Sequence, residues 1–386
     1  MNNAYNCSLT GMNPMNAMTQ TSSRFQQGLT RLLQSRVADI LSYPHGVDRY
    51  LEVFNPLWSV NEVRAKVEDV RYLTNDSVTL TLRPNHNWEG FIPGQFVQLS
   101  VTIDGKRQTR CYSPANSLHR ADGCIELTAK VHANGFVSRH LREQLSVGDV
   151  VLLSQADGEF ALPAQRPEQV LLISGGSGIT PVMSMLRTLC DEGFSGPITF
   201  LHYANSAADM IYASELEEIA RAHDNVTLVR CFNNEGEQGE LSGLFSREHL
   251  YIAAPAFAQA TTFLCGPPPM MAAVEKVWEE DGLAERLHKE QFTLAAPQIE
   301  SDSAEGEVRF VQSEKMAINN GATLLEQAES AGLTPESGCR MGICHACTCR
   351  KTAGEVRDIR TGEITSGEED IQICISVPVG TVTLDI

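Results

Sequence analysis

The chain has 386 residues, enough for two to four domains, and its 42% hydrophobic and 20% charged residues are ordinary for a globular protein. Thirty Lys and Arg against 48 Asp and Glu give a formal charge of −18, which argues against a nucleic-acid partner, since phosphate contacts need basic surface, and favours a basic protein partner. Eleven cysteines, an odd number, suit thiols better than disulfides; with no secretory signal and no apolar run near the ~20 residues of a membrane span, the expectation is a cytoplasmic chain without a transmembrane segment.

Residues 1–22 are rich in Asn, Met, Thr and Ser without periodicity and read as disordered. From Ser23 the apolar residues Phe25, Leu29, Leu32, Leu33, Val37, Ile40 and Leu41 recur at helical spacing, and Pro44 and Gly46 close that helix. Tyr50, Leu51, Val53, Phe54, Leu57 and Trp58 follow. Residues 1–60 are thus a disordered tail and a helical arm, and two uses suit the arm: packing on its own protein, or docking on a partner or a membrane surface.

Residues 61–165 read as short strands punctuated by Pro93-Gly94, Asp104-Gly105, Asp122-Gly123 and Gly148-Asp149, the pattern of a small antiparallel β-barrel. Val78, Leu80 and Leu82 alternate with polar residues and predict a strand with one buried face. Arg110-Cys111-Tyr112-Ser113 combines a cation, an aromatic face and a hydroxyl. In a strand Arg110 and Tyr112 share one face and Ser113 takes the other. Arg110 suits a phosphate, Tyr112 a flat ring, Ser113 a hydrogen bond to that ring. Asn134-Gly135-Phe136-Val137-Ser138 opens a helix, a second seat for phosphate. Taken singly, each is equally an ordinary turn or a surface charge.

Residues 166–295 alternate strand and helix, which predicts an α/β domain with a parallel sheet. Val170–Ile173 runs into Ser174-Gly175-Gly176-Ser177-Gly178-Ile179-Thr180-Pro181, with the following helix predicted from Val182. Gly175, Gly176 and Gly178 allow backbone N–H groups to approach an anion at a helix N-terminus, and Pro181 suits the first turn. The third glycine of a full dinucleotide fingerprint is missing, so a purely structural turn accounts for this segment almost as well.

Residues 296–306 are a polar, acidic linker. In 307–386 a hairpin-like stretch and a short helix, stopped by Gly332, precede Cys339-Arg340-Met341-Gly342-Ile343-Cys344-His345-Ala346-Cys347. This C-x4-C-x2-C run, with the lone Cys374, has the spacing of a plant-type 2Fe–2S centre. Structural zinc sites favour two short pairs, and disulfide frameworks favour small domains in oxidising compartments. Cys339, Cys344, Cys347 and Cys374 are therefore the candidate metal ligands. Gly338 and Gly342 provide the unusual dihedrals of such a loop. Cys349 reads as a small buried strand residue.

Together these motifs resemble the ferredoxin–NADP reductase superfamily over about residues 63–295, and a plant-type ferredoxin over 307–386. The resemblance implies that Arg110, Tyr112 and Ser113 form the flavin motif, with Cys111 where proline is common. It likewise implies that Gly135, Phe136, Val137 and Ser138 form the flavin-phosphate segment, and that Gly175, Gly176, Gly178, Thr180 and Pro181 form the nicotinamide-dinucleotide turn. Cys265, Gly266 and Pro267 resemble the loop that carries a cysteine to the nicotinamide, and Glu290-Gln291-Phe292 the closing acidic-x-aromatic segment by the flavin. Ser113, Cys265, Glu290 and Phe292 are thereby the catalytic candidates. The implied cofactors are a 2Fe–2S cluster, FAD rather than FMN by family frequency, and NADPH or NADH. Ala204-Asn205-Ser206-Ala207-Ala208-Asp209 offers neither an arginine for a 2′-phosphate nor an acid at the strand end for a ribose hydroxyl, and Ser206 with the distant Arg230 keeps NADPH open.

The implied fold class is multidomain, α/β and β: an N-terminal helical arm, an antiparallel flavin-binding β-barrel, an α/β nicotinamide-dinucleotide domain with a parallel sheet, and a C-terminal β-grasp ferredoxin domain. The order flavin, nicotinamide, ferredoxin resembles single-chain oxygenase and desaturase reductases, and Asn55-Pro56-Leu57-Trp58 is similar to reductases serving bacterial acyl-CoA desaturases. The expected function is transfer of hydride from NAD(P)H to FAD and of single electrons through the cluster to a partner oxygenase, expected to be a fatty-acyl desaturase. The alternatives are the reductase of an aromatic or other hydroxylase, and a redox sensor without turnover. Membrane contact, if any, is expected to be peripheral and through the acceptor.

Overall fold

The computed structural model describes residues 47–131, 135–234, 239–292, 305–338, 340–342 and 345–386. The tail and the helix expected from Phe25 to Leu41 lie outside these residues, as do 293–304. The first described element is helix α1 (Val47–Phe54). Its Asp48 accepts from the Val60 N–H at 2.6 Å and from the Ser59 hydroxyl at 2.9 Å, and Glu52 pairs with Arg64 at 2.7 Å. One side of the arm thus packs on its own protein. The other leaves Val53 and Phe54 80% or more exposed, and Tyr50 and Trp58 about half exposed. Among the described residues no helix is long and apolar enough to cross a membrane.

Strands β1 (Val63–Arg71), β2 (Ser77–Pro84), β3 (Val97–Ile103), β4 (Lys106–Tyr112), β5 (Ile125–Lys130) and β6 (Val150–Leu153) form one antiparallel sheet, ordered β4-β3-β6-β1-β2-β5. It wraps a core that includes Val67, Leu80, Leu99 and Leu127, capped by helix α2 (Phe136–Glu143) through Val137 and Leu141. The expected alternation in β2 fails, because Thr79 and Thr81 are buried along with Val78, Leu80 and Leu82. The outer face of the barrel is covered by the next domain. Thr79 Oγ1 lies 2.8 Å from Thr128 Oγ1, which in turn bonds the buried Tyr212 hydroxyl.

That domain is built on β7 (Val170–Gly175), β8 (Ile198–Ala204), β9 (Val226–Phe232), β10 (Leu241–Ser242), β11 (Thr261–Cys265) and β12 (Leu287–Glu290), parallel throughout and ordered β10-β9-β8-β7-β11-β12. Helices α3 (Ile179–Asp191), α4 (Ala213–Ala222), α5 (Arg247–Ala253) and α6 (Pro268–Glu280) cover it. Helix α3 begins three residues before the expected Val182. The glycine turn winds through a single 3-10 turn straight into it, and Pro181 in the first turn gives up no needed N–H. Strand β12 has no apolar alternation to announce it; as an edge strand it needs no second buried face.

The C-terminal domain holds β13 (Glu307–Phe310), β14 (Lys315–Ile318), β15 (Thr348–Asp358), β16 (Ile364–Ser366), β17 (Glu369–Gln372) and β18 (Ser376–Leu384) in a mixed sheet. Strand β13 runs parallel to β18, and the other pairs are antiparallel. Helix α7 (Leu324–Ser330) starts with a Thr323–Glu326 capping box and buries Leu324, Leu325 and Ala328. The long β15 carries a fully buried lysine. Lys351 Nζ is satisfied by the carbonyls of Gly354 at 3.1 Å and Gly367 at 2.7 Å and by Glu369 at 2.9 Å. Cys349, expected to be buried, is half-buried.

The barrel and the α/β domain are braced by Glu126 of β5. Its carboxylate accepts from Arg187 of α3 at 2.8 Å, bonds Arg71 and lies 3.8 Å from Arg120. Arg187 also pairs with Glu215 at 2.6 Å, donates to the Ala115 carbonyl at 2.7 Å and lies over the Tyr212 ring. Burial works against the ionised Glu126, but its arginines, Arg187 foremost, hold its pKa below the usual carboxylate range. That stabilisation is present above the ordinary carboxylate pKa and is lost as pH falls through the depressed value. Glu126→Gln should therefore destabilise the chain by about 3 kcal/mol at pH 7, with the deficit shrinking toward acid pH, as read by urea unfolding across that range. Equal stability of variant and wild type at pH 7 would remove the brace.

Candidate functional site

Two cavities open on the seam between these domains. The first, about 470 Å³, is lined by Arg110, Tyr112, Ser113, the segment Gly135 to Ser138, Thr180, Glu290 and Phe292. The expectation that Ser113 faces away from Arg110 and Tyr112 is corrected here. Strand β4 ends at Tyr112, so Ser113 is free of strand alternation and joins the same wall. Helix α2 points its N-terminus here, with Gly135 as an N-cap that has no side-chain bond. Val137 and Ser138 are buried and Phe136 is half-exposed.

Ser113 Oγ and Glu290 Oε2 are buried polar atoms without partners. Native interiors leave few such atoms, so a pair on one wall calls for a ligand with polar edges. Burial pushes the Glu290 carboxyl up to about 8; Ser113 lies near enough to oppose that rise, without the geometry of a full hydrogen bond. At neutral pH Glu290 is thus an O–H donor. Burial also pushes the Tyr112 phenol up, keeping it neutral. Arg110, its pKa lowered by burial and by the neighbouring Arg340, donates to the Thr109 carbonyl at 2.7 Å and the Gly338 carbonyl at 2.9 Å.

The second cavity, about 690 Å³, lies over the C-terminal ends of β7, β8, β9 and β11. A volume of this size suits a small-molecule site. Gly175, Gly176, Gly178, Gly266 and Pro267 form its floor. A Cβ on Gly178 would stand 2.3 Å from the Cys265 carbonyl oxygen, and one on Gly175 2.8 Å from Pro267. The glycine turn and the loop after β11 therefore pack backbone to backbone. Cys265 sits behind this wall, fully buried, its thiol pushed up by burial and by Glu290. Strand register sets it between Ser174 and Glu290. Pro181 is buried inside α3 and lines neither cavity, whereas Lys130, Ser177 and Phe292 line both. Arg230, kept at a distance by the sequence reading, is not among the residues lining this cavity and is paired with Glu217 and Glu240, each at 2.7 Å.

The third centre is the cysteine loop. Cys339 and Cys344 lie outside the described residues. Cys347 and Cys374 are buried together, the Ile373 N–H donating to the Cys347 carbonyl at 3.3 Å. Gly342 has φ +72°, and a Cβ there would stand 2.6 Å from Ile375 Cδ1, so glycine is required. The loop meets the barrel. Besides the Arg110 bond to Gly338, Lys106 Nζ donates to Thr334 Oγ1 at 3.1 Å, and Glu329, Arg340 and Met341 line the first cavity. These three were invisible to sequence reasoning. Arg340 stands inside the cysteine motif, but nothing in the motif says which domain it touches.

The residues fit the three implied groups. The partnerless Ser113 and Glu290 suit the polar edge of a flavin, the glycine-floored cavity suits a dinucleotide, and the buried thiols of Cys347 and Cys374 suit iron.

Comparison with known proteins agrees. The chain matches family models described as oxidoreductase FAD-binding domain (residues 64–162), oxidoreductase NAD-binding domain (172–276) and 2Fe-2S iron-sulfur cluster binding domain (310–379). It is 34% identical over 355 residues to an NADPH oxidoreductase of Mycobacterium tuberculosis, covering 91% of each chain. It is 34% identical over 320 residues to a glycine betaine monooxygenase reductase subunit of Pseudomonas aeruginosa, covering 76% of this chain and 87% of that one. Phthalate dioxygenase reductase shares the fold at TM-score 0.56 and 20% identity, over 84% of this chain and 98% of its own. The Amycolatopsis cytochrome P450 reductase GcoB is 28% identical at TM-score 0.55, over 60% of this chain and 70% of its own.

Glu290 yields a test. The folded chain holds its proton up to about pH 8, whereas the unfolded chain releases it near 4.5. Its contribution to stability therefore falls as pH rises between those values and is flat above them. Glu290→Gln should lose less unfolding free energy than wild type between pH 6 and pH 9, measured by urea titration. Parallel losses in the two proteins would mean that Glu290 is already ionised at neutrality.

Proposed function

We propose, because this chain belongs to the ferredoxin–NADP reductase superfamily of NAD(P)H-dependent FAD oxidoreductases and carries a C-terminal 2Fe–2S domain, that it is the reductase component of an oxygenase system. The observation that carries this reading is the Arg110 bond to Gly338, with Arg340 and Met341 beside it. The cysteine loop forms part of the wall of the flavin-side cavity, so electrons need not leave the chain between the two. The relatives named as reductases of glycine betaine monooxygenase and propane 2-monooxygenase support an oxygenase as the acceptor.

In this reading residues 61–165, 166–295 and 307–386 are the flavin, nicotinamide and cluster units, with 1–60 an arm and 296–306 a linker. Bound FAD supplies the conversion between a hydride from the nicotinamide and the single electrons a 2Fe–2S centre accepts. Arg110 and the N-terminus of α2, Gly135 to Ser138, hold the flavin phosphate. Tyr112 covers the ring, and Ser113 and neutral Glu290 donate to its edge. Gly175, Gly176 and Gly178, ahead of Thr180 and Pro181, receive the dinucleotide pyrophosphate. Cys265, Gly266 and Pro267 shape the nicotinamide end, and Phe292 excludes water where the cavities meet. Cys339, Cys344, Cys347 and Cys374 hold the irons. Cys344→Ser should lose the cluster's absorption and acceptor reduction while flavin reduction by NAD(P)H continues, as read by stopped-flow absorbance. A folded, flavin-loaded variant that no longer takes hydride would refute the modular scheme, and it is rapid turnover with an artificial acceptor that separates a reductase from a redox sensor.

A narrower reading of the acceptor, a membrane-held fatty-acyl desaturase, is favoured by the arm. Helix α1 exposes Val53 and Phe54 with Tyr50 and Trp58. The match to the M. tuberculosis relative, at 91% of this chain, must include part of residues 1–60, whereas the glycine betaine relative's match spans only 76%. Val53→Ser with Phe54→Ser should raise the KM for a desaturase in vesicles about tenfold and leave flavin reduction and melting temperature unchanged, since about 1.4 kcal/mol of lost apolar contact is tenfold. An unchanged KM would leave the arm without a docking role.

A further inference from the structure

We infer that Arg340, inside the cysteine loop, is a second ligand of the flavin phosphate beside Arg110, so that the C-terminal domain completes the flavin site. The inference rests on the first cavity being that site. A phosphate spreads its charge over several oxygens and is held best by donors that converge on it from more than one side. Arg110 and the N-terminus of α2 approach from the barrel alone.

The wall of this cavity crosses a domain boundary. Arg110 and Tyr112 stand on β4, whereas Glu329 of α7, Arg340 and Met341 belong to the C-terminal domain. Arg110 Nη1 donates to the Gly338 carbonyl at 2.9 Å, two residues before Arg340, and the charge of Arg340 is close enough to lower the pKa of Arg110. Two like charges are thus held side by side. The protein bonds of Arg110 go to the carbonyls of Thr109 and Gly338, and among the described residues no carboxylate lies within ion-pair distance of it. Glu329 is taken by Arg340, which donates from Nη1 to Oε2 at 3.0 Å and from Nη2 to Oε1. One carboxylate therefore faces two cations. Lys130 adds no second acid to the wall, since its partner, Asp76 at 3.1 Å, lies outside it, and burial keeps Glu290 neutral. The surplus positive charge in this half-buried wall is what an anion would balance.

Arg340 is also placed at a cost. Its φ is +59°, in the left-handed region that glycine enters freely and a long side chain does not. That backbone is kept although the side chain's polar needs are unmet: the Arg340 Nε is buried without a partner. Glu329 takes one N–H from each Nη, so further guanidinium N–H groups remain for an acceptor. Glu329 itself repels a phosphate, but both of its oxygens are covered by Arg340. An anion that meets Arg110 and Arg340 together would tie the cysteine loop to the barrel. Binding of the cofactor and seating of the loop are then one linked equilibrium, each favouring the other.

The test uses full-length protein stripped of flavin with its iron retained. FAD is titrated by quenching of its fluorescence, and amide hydrogen exchange is followed across residues 338–342 with FAD and with riboflavin, which has the ring but no phosphate. Arg340→Gln should weaken FAD at least about tenfold, the loss of a charge-assisted contact, whereas Glu329→Gln, which frees Arg340, should leave FAD within about twofold of wild type or bind it more tightly. In the wild type FAD should slow exchange in the loop and saturating riboflavin should not, a result that stands even if Arg340→Gln fails to assemble its cluster. Unchanged FAD affinity in Arg340→Gln, equal losses in both variants, or equal protection by riboflavin would reduce Arg340 to a structural partner of Glu329 and leave the reductase reading standing. Failure of the stripped wild type to bind FAD at all would overturn the assignment of the first cavity and this inference with it.

Discussion

The seam between the barrel and the α/β domain is the constraint on which the rest of this molecule depends. Hydride transfer needs near contact of the reacting atoms, so two domains must hold two cavities in register to within a fraction of an ångström. Lys130, Ser177 and Phe292 line both cavities and mark where they meet. What fixes that meeting is polar. Glu126 binds arginines from both domains, and Thr79, Thr128 and Tyr212 form a hydroxyl chain across the joint. An apolar seam of equal area can slide by a residue at small cost; a buried ion lattice admits one arrangement, because any other strands a charge. The same burial accounts for the loss of alternation in β2, whose outward Thr79 belongs to that hydroxyl chain.

The contact of the third domain is of another kind. It reaches the barrel through Arg110 to a carbonyl and Lys106 to a hydroxyl, both bonds of single donors. Single electrons do not need the atomic contact that a hydride needs, so a looser junction suffices there. Stiffness is placed where chemistry demands it. Neutral Glu290 belongs to the stiff part: its proton is held by desolvation, and desolvation persists only while the seam stays closed.

Much of this was legible in the sequence because some requirements are local. Three cysteines on one loop, glycines after a buried strand, and Arg110-Cys111-Tyr112-Ser113 declare their chemistry within a few residues. The barrel, the parallel sheet and the capping of α7 follow from periodicity and turn residues. What was illegible depended on distant chain. Strand β12 is a strand only because β11 offers it an edge, and that pairing alone brings Glu290 beside Cys265. Asp209, five residues past β8, lines the second cavity after a 3-10 turn that the sequence did not announce. The partners of Arg230, Glu217 and Glu240, come from a helix and a loop that the sequence could not place beside it. Ser113 was assigned the wrong face because alternation was extended one residue past the strand's end.

The cysteine loop has two faces, and this gives the electron path a direction. Gly338 is buried against the barrel, and Arg340 and Met341 line the flavin-side cavity. A few residues on, His345 and Ala346 are exposed, His345 in the left-handed region at φ +54°. Cys347 and Cys374 are buried between these two environments and the domain core. His345 and Ala346 are thus open to solvent on the side away from the barrel contact of Gly338. Arg360, in the turn before β16, donates to the Gly342 carbonyl at 3.1 Å and ties that turn to the loop. Residues 301–386 hold 14 acids against 7 basic residues, a surplus whose field favours a basic over an acidic protein surface and that salt screens. The cysteine loop is thus a wall of the flavin-side cavity on one side and exposed on the other.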